Sequence, residues 1–202
     1  KFPPPDGFQP LNTANTRPVN VISRPDQYVG IVTYTGTAAA RSIDVGIKPD
    51  LVWFKQRNTT RNNLLFDSVR GATKFAVSNS TGTPGTLAEG LTSFDQNGFS
   101  IGTVADVNQD DGTFVAWFWK AGGNKNTFNV DNVGYSTYTD APGLNEGTIK
   151  IMGASVGTKQ GFSIINYKGT GGSKTIPHGL SDKVPKFIIV KKTSGTEPWG
   201  IY

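Results

Sequence analysis

Thr113–Lys120 reads T-F-V-A-W-F-W-K. At the two-residue period of a strand, Val115, Trp117 and Trp119 fall on one face and Phe114, Ala116 and Phe118 on the other. A strand that is apolar on both faces belongs inside a sandwich, not at a solvated edge. Asp50–Gln56 (D-L-V-W-F-K-Q) is a second near-continuous apolar run of this kind. Tyr28–Tyr34 (Y-V-G-I-V-T-Y), Asn63–Ser68 and Lys74–Ser78 supply shorter β-type runs. Ser93–Phe94 and Phe99–Gly102 flank D-Q-N-G at Asp95–Gly98, where Asn97 and Gly98 both accept a positive φ and so predict a hairpin turn. No segment sustains apolar residues at helical spacing, and Leu87–Leu91 offers one helical turn at most. Short strands at roughly 8–12-residue spacing without intervening helices predict an all-β fold, an antiparallel β-sandwich of jelly-roll-like type.

The composition suits a thin aromatic core. Among 202 residues there are 12 Phe, 4 Trp and 6 Tyr, while the 25 Gly supply turns between strands. There is no Cys, which excludes disulfides, thiolate zinc sites and a thiol nucleophile together. The net charge of +5 is scattered, with pairs such as Lys191–Lys192 and no basic run. It reads as solubilising charge, and nucleic acid is not an expected partner. No apolar stretch approaches the length of a membrane span, so membrane insertion is not expected either. With Lys1 first and Met152 the sole methionine, the chain is expected to be an internal segment or a processed product.

Four regions follow from texture. Residues 1–27 hold Pro3, Pro4, Pro5, Pro10, Pro18 and Pro25 and read as an extended connector that docks through Phe2, Phe8 and Leu11. Residues 28–122 form the first β-sandwich module. Residues 123–160 read as a second connector, Gly-, Asn-, Thr- and Tyr-rich as far as Thr148, with Thr148–Met152 a candidate strand leading into Gly161–Tyr167. Residues 161–202 begin a second, similar module. The duplication is visible at constant offset: Tyr34, Gly36, Thr37, Ile43 and Gly46 recur as Tyr167, Gly169, Thr170, Ile176 and Gly179 (167 − 34 = 133). Three residues are then inserted, and Pro49 and Lys55 recur as Pro185 and Lys191 (191 − 55 = 136). Such a period points to tandem modules of an extended protein. The later strands of the second module come from another chain or from further sequence, or that segment stays partly disordered.

The candidate chemistry is sparse. His178 is the sole histidine, and its counterpart in the first copy is Val45, so it reads as a structural turn residue. Asp106, Asn108, Asp110 and Asp111 resemble the start of a calcium loop, but an EF-hand needs Gly where Asp111 stands and Glu where Trp117 stands. The favoured reading is a plain loop before the Thr113 strand, with a non-EF calcium site as the alternative. Gly169–Gly172 reads as a turn and not as a phosphate loop. Trp53, Trp117 and Trp119 are expected in the core, while Trp199 is open between core and surface. No catalytic, cofactor-binding or metal residue is assigned, no cofactor is expected, and ligand-binding residues are left open.

The blocks Tyr34–Arg57, Leu65–Lys74 (L-F-D-S-V-R-G-A-T-K), Leu91–Thr103 (L-T-S-F-D-Q-N-G-F-S-I-G-T) and Phe114–Gly122 (F-V-A-W-F-W-K-A-G) resemble a module of phage virion proteins. These proteins are tail-fibre-like, and many come from phages of marine bacteria. Gly161–Gly172, Ile176–Leu180 and Val184–Lys192 look like the next module of that family, and Phe2–Asn15 is similar to the tail that follows a SPRY-like sandwich in it. The resemblance implies a non-enzymatic structural protein of a tail fibre, spike or capsid appendage, assembled in the host cytoplasm and exposed on the particle. Its implied partners are other virion proteins, further copies of itself (a trimer favoured), and a host-surface glycan or protein met in attachment. A cementing or decoration protein of capsid or tail is the alternative, with a polysaccharide depolymerase third.

Overall fold

In chain order the first module runs through β1 (Val29–Thr35), β2 (Arg41–Asp44), β3 (Leu51–Gln56), β4 (Leu64–Asp67), β5 (Lys74–Val77), β6 (Gly85–Thr86), β7 (Leu91–Asp95), β8 (Gly98–Ile101), a four-residue helix α1 (Ala105–Asn108) and β9 (Thr113–Trp119). The computed structural model describes residues 24–202, so most of the proline-rich connector, with Phe2, Phe8 and Leu11, lies outside the described residues. The doubly apolar strand sits inside its sheet: β9 pairs with β1 on one side and β3 on the other in a six-stranded antiparallel sheet ordered β1-β9-β3-β4-β5-β6. A three-stranded antiparallel sheet, β2-β8-β7, covers one face of it. Between the two sheets lie Val52, Phe54, Leu64, Phe66, Ala116 and Phe118 from the larger, and Ile43, Phe94, Phe99 and Ile101 from the smaller. Phe54 meets Phe66 and Phe99 edge-on, with ring centroids 5.8 and 5.4 Å apart, the packing that ring quadrupoles favour. This is the all-β sandwich that the strand pattern predicts.

The β7–β8 hairpin forms where D-Q-N-G predicts it, by a different mechanism. Asp95 pairs with Gly98, so the two loop residues are Gln96 and Asn97, and neither Asn97 nor Gly98 takes a positive φ. Gly98 is needed for close approach instead, since a Cβ there would sit 2.0 Å from the Ile43 carbonyl oxygen on β2.

The Y-x-G-T motif has a physical explanation in the first module. The Tyr34 hydroxyl donates to the Val107 carbonyl at 2.6 Å, and the Thr37 N–H donates to Asn108 Oδ1 at 3.0 Å. Gly36 lies so near the chain that an added Cβ would stand 1.9 Å from the Gln109 carbonyl oxygen. The motif is thus a grip on residues 107–109, the turn that feeds β9. Burial pushes the Tyr34 phenol above its ordinary value, against a smaller opposing influence of Arg41. An unfolded tyrosine ionises near pH 10, whereas the folded Tyr34 stays neutral. Its contribution to stability is therefore intact below about pH 10 and is lost as pH rises further, by up to about 1.4 kcal/mol per pH unit. Between about pH 9 and pH 11, the urea midpoint of Tyr34→Phe is expected to fall less than that of the parent protein. Equal falls would remove Tyr34 as the source.

Residues 123–160 differ from the connector expected of them. They carry β10 (Phe128–Val130), β11 (Val133–Tyr135) and β12 (Ile151–Gly157), which join β13 (Phe162–Tyr167) in a sheet ordered β11-β10-β12-β13. In this sheet β10 and β12 run parallel, unlike every other pair. A second core of Phe128, Val130, Leu144, Ile149, Ile151, Ala154, Val156 and Leu180 covers it. Short strands in a Gly- and Asn-rich segment carry too few apolar residues to show a period, which is why composition alone suggests a connector.

Asp50 joins the two cores. It is fully buried at the start of β3. Oδ1 accepts the Ser68 and Ser155 hydroxyls at 2.6 and 2.9 Å, and Oδ2 accepts the Ala121 and Gly123 N–H groups at 2.7 and 3.1 Å. Ser155 stands on β12, so one carboxylate ties β3, the end of β4, the turn after β9 and the second sheet together.

β14 (Ile189–Val190) pairs with β15 (Gly200–Ile201) in the register Ile189↔Ile201 and Val190↔Gly200. These are the positions of Trp53↔Leu65 and Phe54↔Leu64 in β3–β4, shifted uniformly (189 − 53 = 136; 201 − 65 = 136). Gly46 and Gly179 share a left-handed backbone, at φ 76° and 70°.

Candidate functional site

Alternation in β9 sends its tryptophans away from the core. Ile31, Trp117, Trp53 and Leu65 align in register across β1, β9, β3 and β4, on the face that β2-β8-β7 does not cover. Trp53 and Trp117 lie with ring centroids 5.6 Å apart and planes tilted by 50°. Both are half-buried, while Ile31 beside them is 64% exposed. Trp119, one row along, faces Phe162 of β13 at 6.4 Å. The expectation that Trp53, Trp117 and Trp119 lie in the core is therefore corrected. The smaller sheet covers a single face of the larger, and Phe114, Ala116 and Phe118 occupy it. The Trp53 indole N–H is buried without an acceptor among the described residues. This ridge offers flat apolar area with few charges: Lys55 beside it directs its ammonium to the Arg61 carbonyl at 2.6 Å. Such a surface stacks on sugar rings or packs against another protein.

The other candidates take structural places. His178 Nδ1 accepts the Leu180 N–H at 3.0 Å, a local turn bond of the kind expected of it. Trp199 is half-buried and donates its indole N–H to the Val77 carbonyl at 3.0 Å, so it docks the β14–β15 hairpin on β5. The oxygens of the calcium-like loop diverge. Asp106 pairs with Arg61 at 3.0 Å, and Asn108 turns inward, donating to the Ala39 and Gly102 carbonyls at 2.7 and 2.8 Å. Among the described residues no group of three or more His, Cys, Asp or Glu side chains is placed to hold a metal ion. Gly169–Gly172 forms an exposed turn, with Gly171 at φ 77°.

Sequence reasoning missed Ile31 and Leu65 as members of the ridge. The signal was available, because each lies on the same parity as Trp53 and Trp117 once the pairing is known, but pairing register is not written in any one strand. Among the described residues no helix is long and apolar enough to cross a membrane.

No curated protein and no solved structure matches this chain. Residues 24–202, which span the first sandwich, the second sheet and the β14–β15 hairpin, match the family described as "Domain of unknown function (DUF7483)", and the chain belongs to that family.

Proposed function

We propose that this chain is a structural segment of a phage virion appendage, a tail fibre, spike or capsid appendage, that serves host-surface attachment by binding and not by catalysis. The observation that carries the reading is the register-preserving repeat of β3–β4 in β14–β15, because duplicated sandwiches add length and surface. The resemblance of Leu65–Lys74 and Phe114–Gly122 to virion proteins supports it. Its partners in this reading are other virion proteins, further copies of the chain in a trimer, and a host-surface glycan or protein. The Ile31–Trp117–Trp53 ridge is the surface best suited to the host ligand.

The purified protein is expected to bind host cells or their isolated surface glycans. Trp53→Thr with Trp117→Thr keeps strand propensity and removes about 1–3 kcal/mol of stacking, a loss of about fivefold or more in affinity. Full binding by the double variant, or no binding by the parent protein, would count against attachment. The cementing alternative draws on a separate observation: Val184, Phe187, Ile188, Ile189, Ile201 and Tyr202 expose a cluster of large apolar side chains. Immunogold labelling of particles separates the readings, an appendage tip favouring attachment and the shell surface favouring cementing.

A further inference from the structure

Ile31, Trp117, Trp53 and Leu65 make one row across four neighbouring strands of the first module. Strands stand about 4.8 Å apart and same-face residues about 7 Å apart along a strand, so the row covers on the order of 100 Å². A stable protein partner buries about 800 Å² on each side, several times what the row supplies. Its members are half-buried or exposed, whereas an apolar small molecule needs an enclosing pocket. What fits is a ligand that lays down one apolar face and keeps a polar rim in water.

The charges beside the row are already engaged. On one side stand Thr33, Val115 and Lys55, and the Lys55 ammonium bonds the Arg61 carbonyl at 2.6 Å. On the other side Asp67 is buried and paired with Arg70 at 2.5 Å. The excess positive charge lies elsewhere: residues 151–202 hold seven lysines and two carboxylates (7 − 2 = 5), equal to the whole net charge of +5. An acidic ligand would be drawn there and not to the ridge. The two indoles, with centroids 5.6 Å apart and planes tilted by 50°, form a shallow corner that one puckered ring can touch on both sides. The C–H groups of a pyranose carry the partial positive charge that the negative face of an indole attracts.

Building on the attachment reading above, we propose that this row is a platform for an uncharged carbohydrate, with a pyranose ring lying against Trp53 and Trp117 and its hydroxyls towards water. The probes are immobilised dextran, mannan and a β-1,3-glucan, with alginate and dextran sulfate as acidic counterparts, each presented to the full chain. Binding to at least one uncharged polymer is expected, unchanged between about 50 mM and about 500 mM salt because no ion pair is there to screen. Trp53→Thr with Trp117→Thr should weaken it about fivefold or more. Ile31→Glu, at a site 64% exposed on an edge strand that tolerates charge, should weaken it severalfold and leave the urea midpoint unchanged. Trp199→Phe, remote from the row, should leave binding as it is. Three outcomes overturn the proposal: no uncharged polymer is bound, binding is confined to the acidic polymers and collapses with salt, or binding survives both the tryptophan and the Ile31 variants. Host cells bound by the parent and lost by the tryptophan variant, with no uncharged polymer bound, would overturn the carbohydrate and leave attachment standing. No binding to host cells at all would remove attachment itself.

Discussion

Asp50→Ala is expected to cost the protein a large part of its stability. The substitution leaves the Ser68 hydroxyl and two backbone N–H groups without their acceptor in a buried site, while the Ser155 hydroxyl keeps the Gly123 carbonyl at 2.9 Å. A buried donor left unpaired costs about 1–3 kcal/mol, so three of them reach about 3 kcal/mol even at the low end. A typical domain has about 5–15 kcal/mol in total. Ser68→Ala removes a single donor and should cost about 1 kcal/mol, because the carboxylate keeps three partners. Urea unfolding of both variants measures the contrast, and hydrogen exchange at Ala154–Val156 locates it. The second sheet should open first in Asp50→Ala, since Ser155 is its link to β3. An unfolding free energy within about 0.5 kcal/mol of the parent would show that water replaces the carboxylate at little cost.

Gly36→Ala and Gly169→Ala are the same substitution at equivalent positions, and their effects should differ sharply. At Gly36 the new methyl would fall 1.9 Å from the Gln109 carbonyl oxygen and 2.9 Å from the Asn108 carbonyl carbon. Both are backbone atoms, so no side chain can swing aside. The turn that feeds β9 must shift, straining the Tyr34–Val107 and Thr37–Asn108 hydrogen bonds. Overpacking of this kind costs about 1–3 kcal/mol and more where backbone must move, so a loss of about 3 kcal/mol is expected. At Gly169 nothing lies in the way, and the change should stay within about 1 kcal/mol, tending towards stabilisation through a less flexible unfolded chain. Thermal melts of the two variants decide the matter. Similar losses in both would show that Gly169 is constrained in the free protein, and similar indifference would remove the grip on residues 107–109.

Much of the strand content is legible in residue order. T-F-V-A-W-F-W-K announces an interior strand, and β9 lies inside the larger sheet between β1 and β3. The duplication is legible too, since the offset found in letters reappears in the pairing of β14 with β15. Two expectations differ from the structure, each for its own reason. Placing Trp53 and Trp117 in the core assumed that both faces of an apolar strand find cover, whereas the β2-β8-β7 sheet covers one. Reading residues 123–160 as a connector assumed that strands need apolar runs, whereas three-residue β10 and β11 are held by pairing with neighbours. Asp50 carried no signal at all, because Ser155, its most distant partner, lies 105 residues away.

Residue order alone determined the main strands of the larger sheet, which of their faces are apolar, and that a block of sequence recurs at constant offset, because alternation and repetition are local properties of the chain. Tertiary structure decided which apolar face is covered, which carboxylate joins the two cores, and that β14 and β15 pair in the register of β3 and β4. Those outcomes depend on which distant strands meet, and pairing between strands is a choice that no single segment encodes.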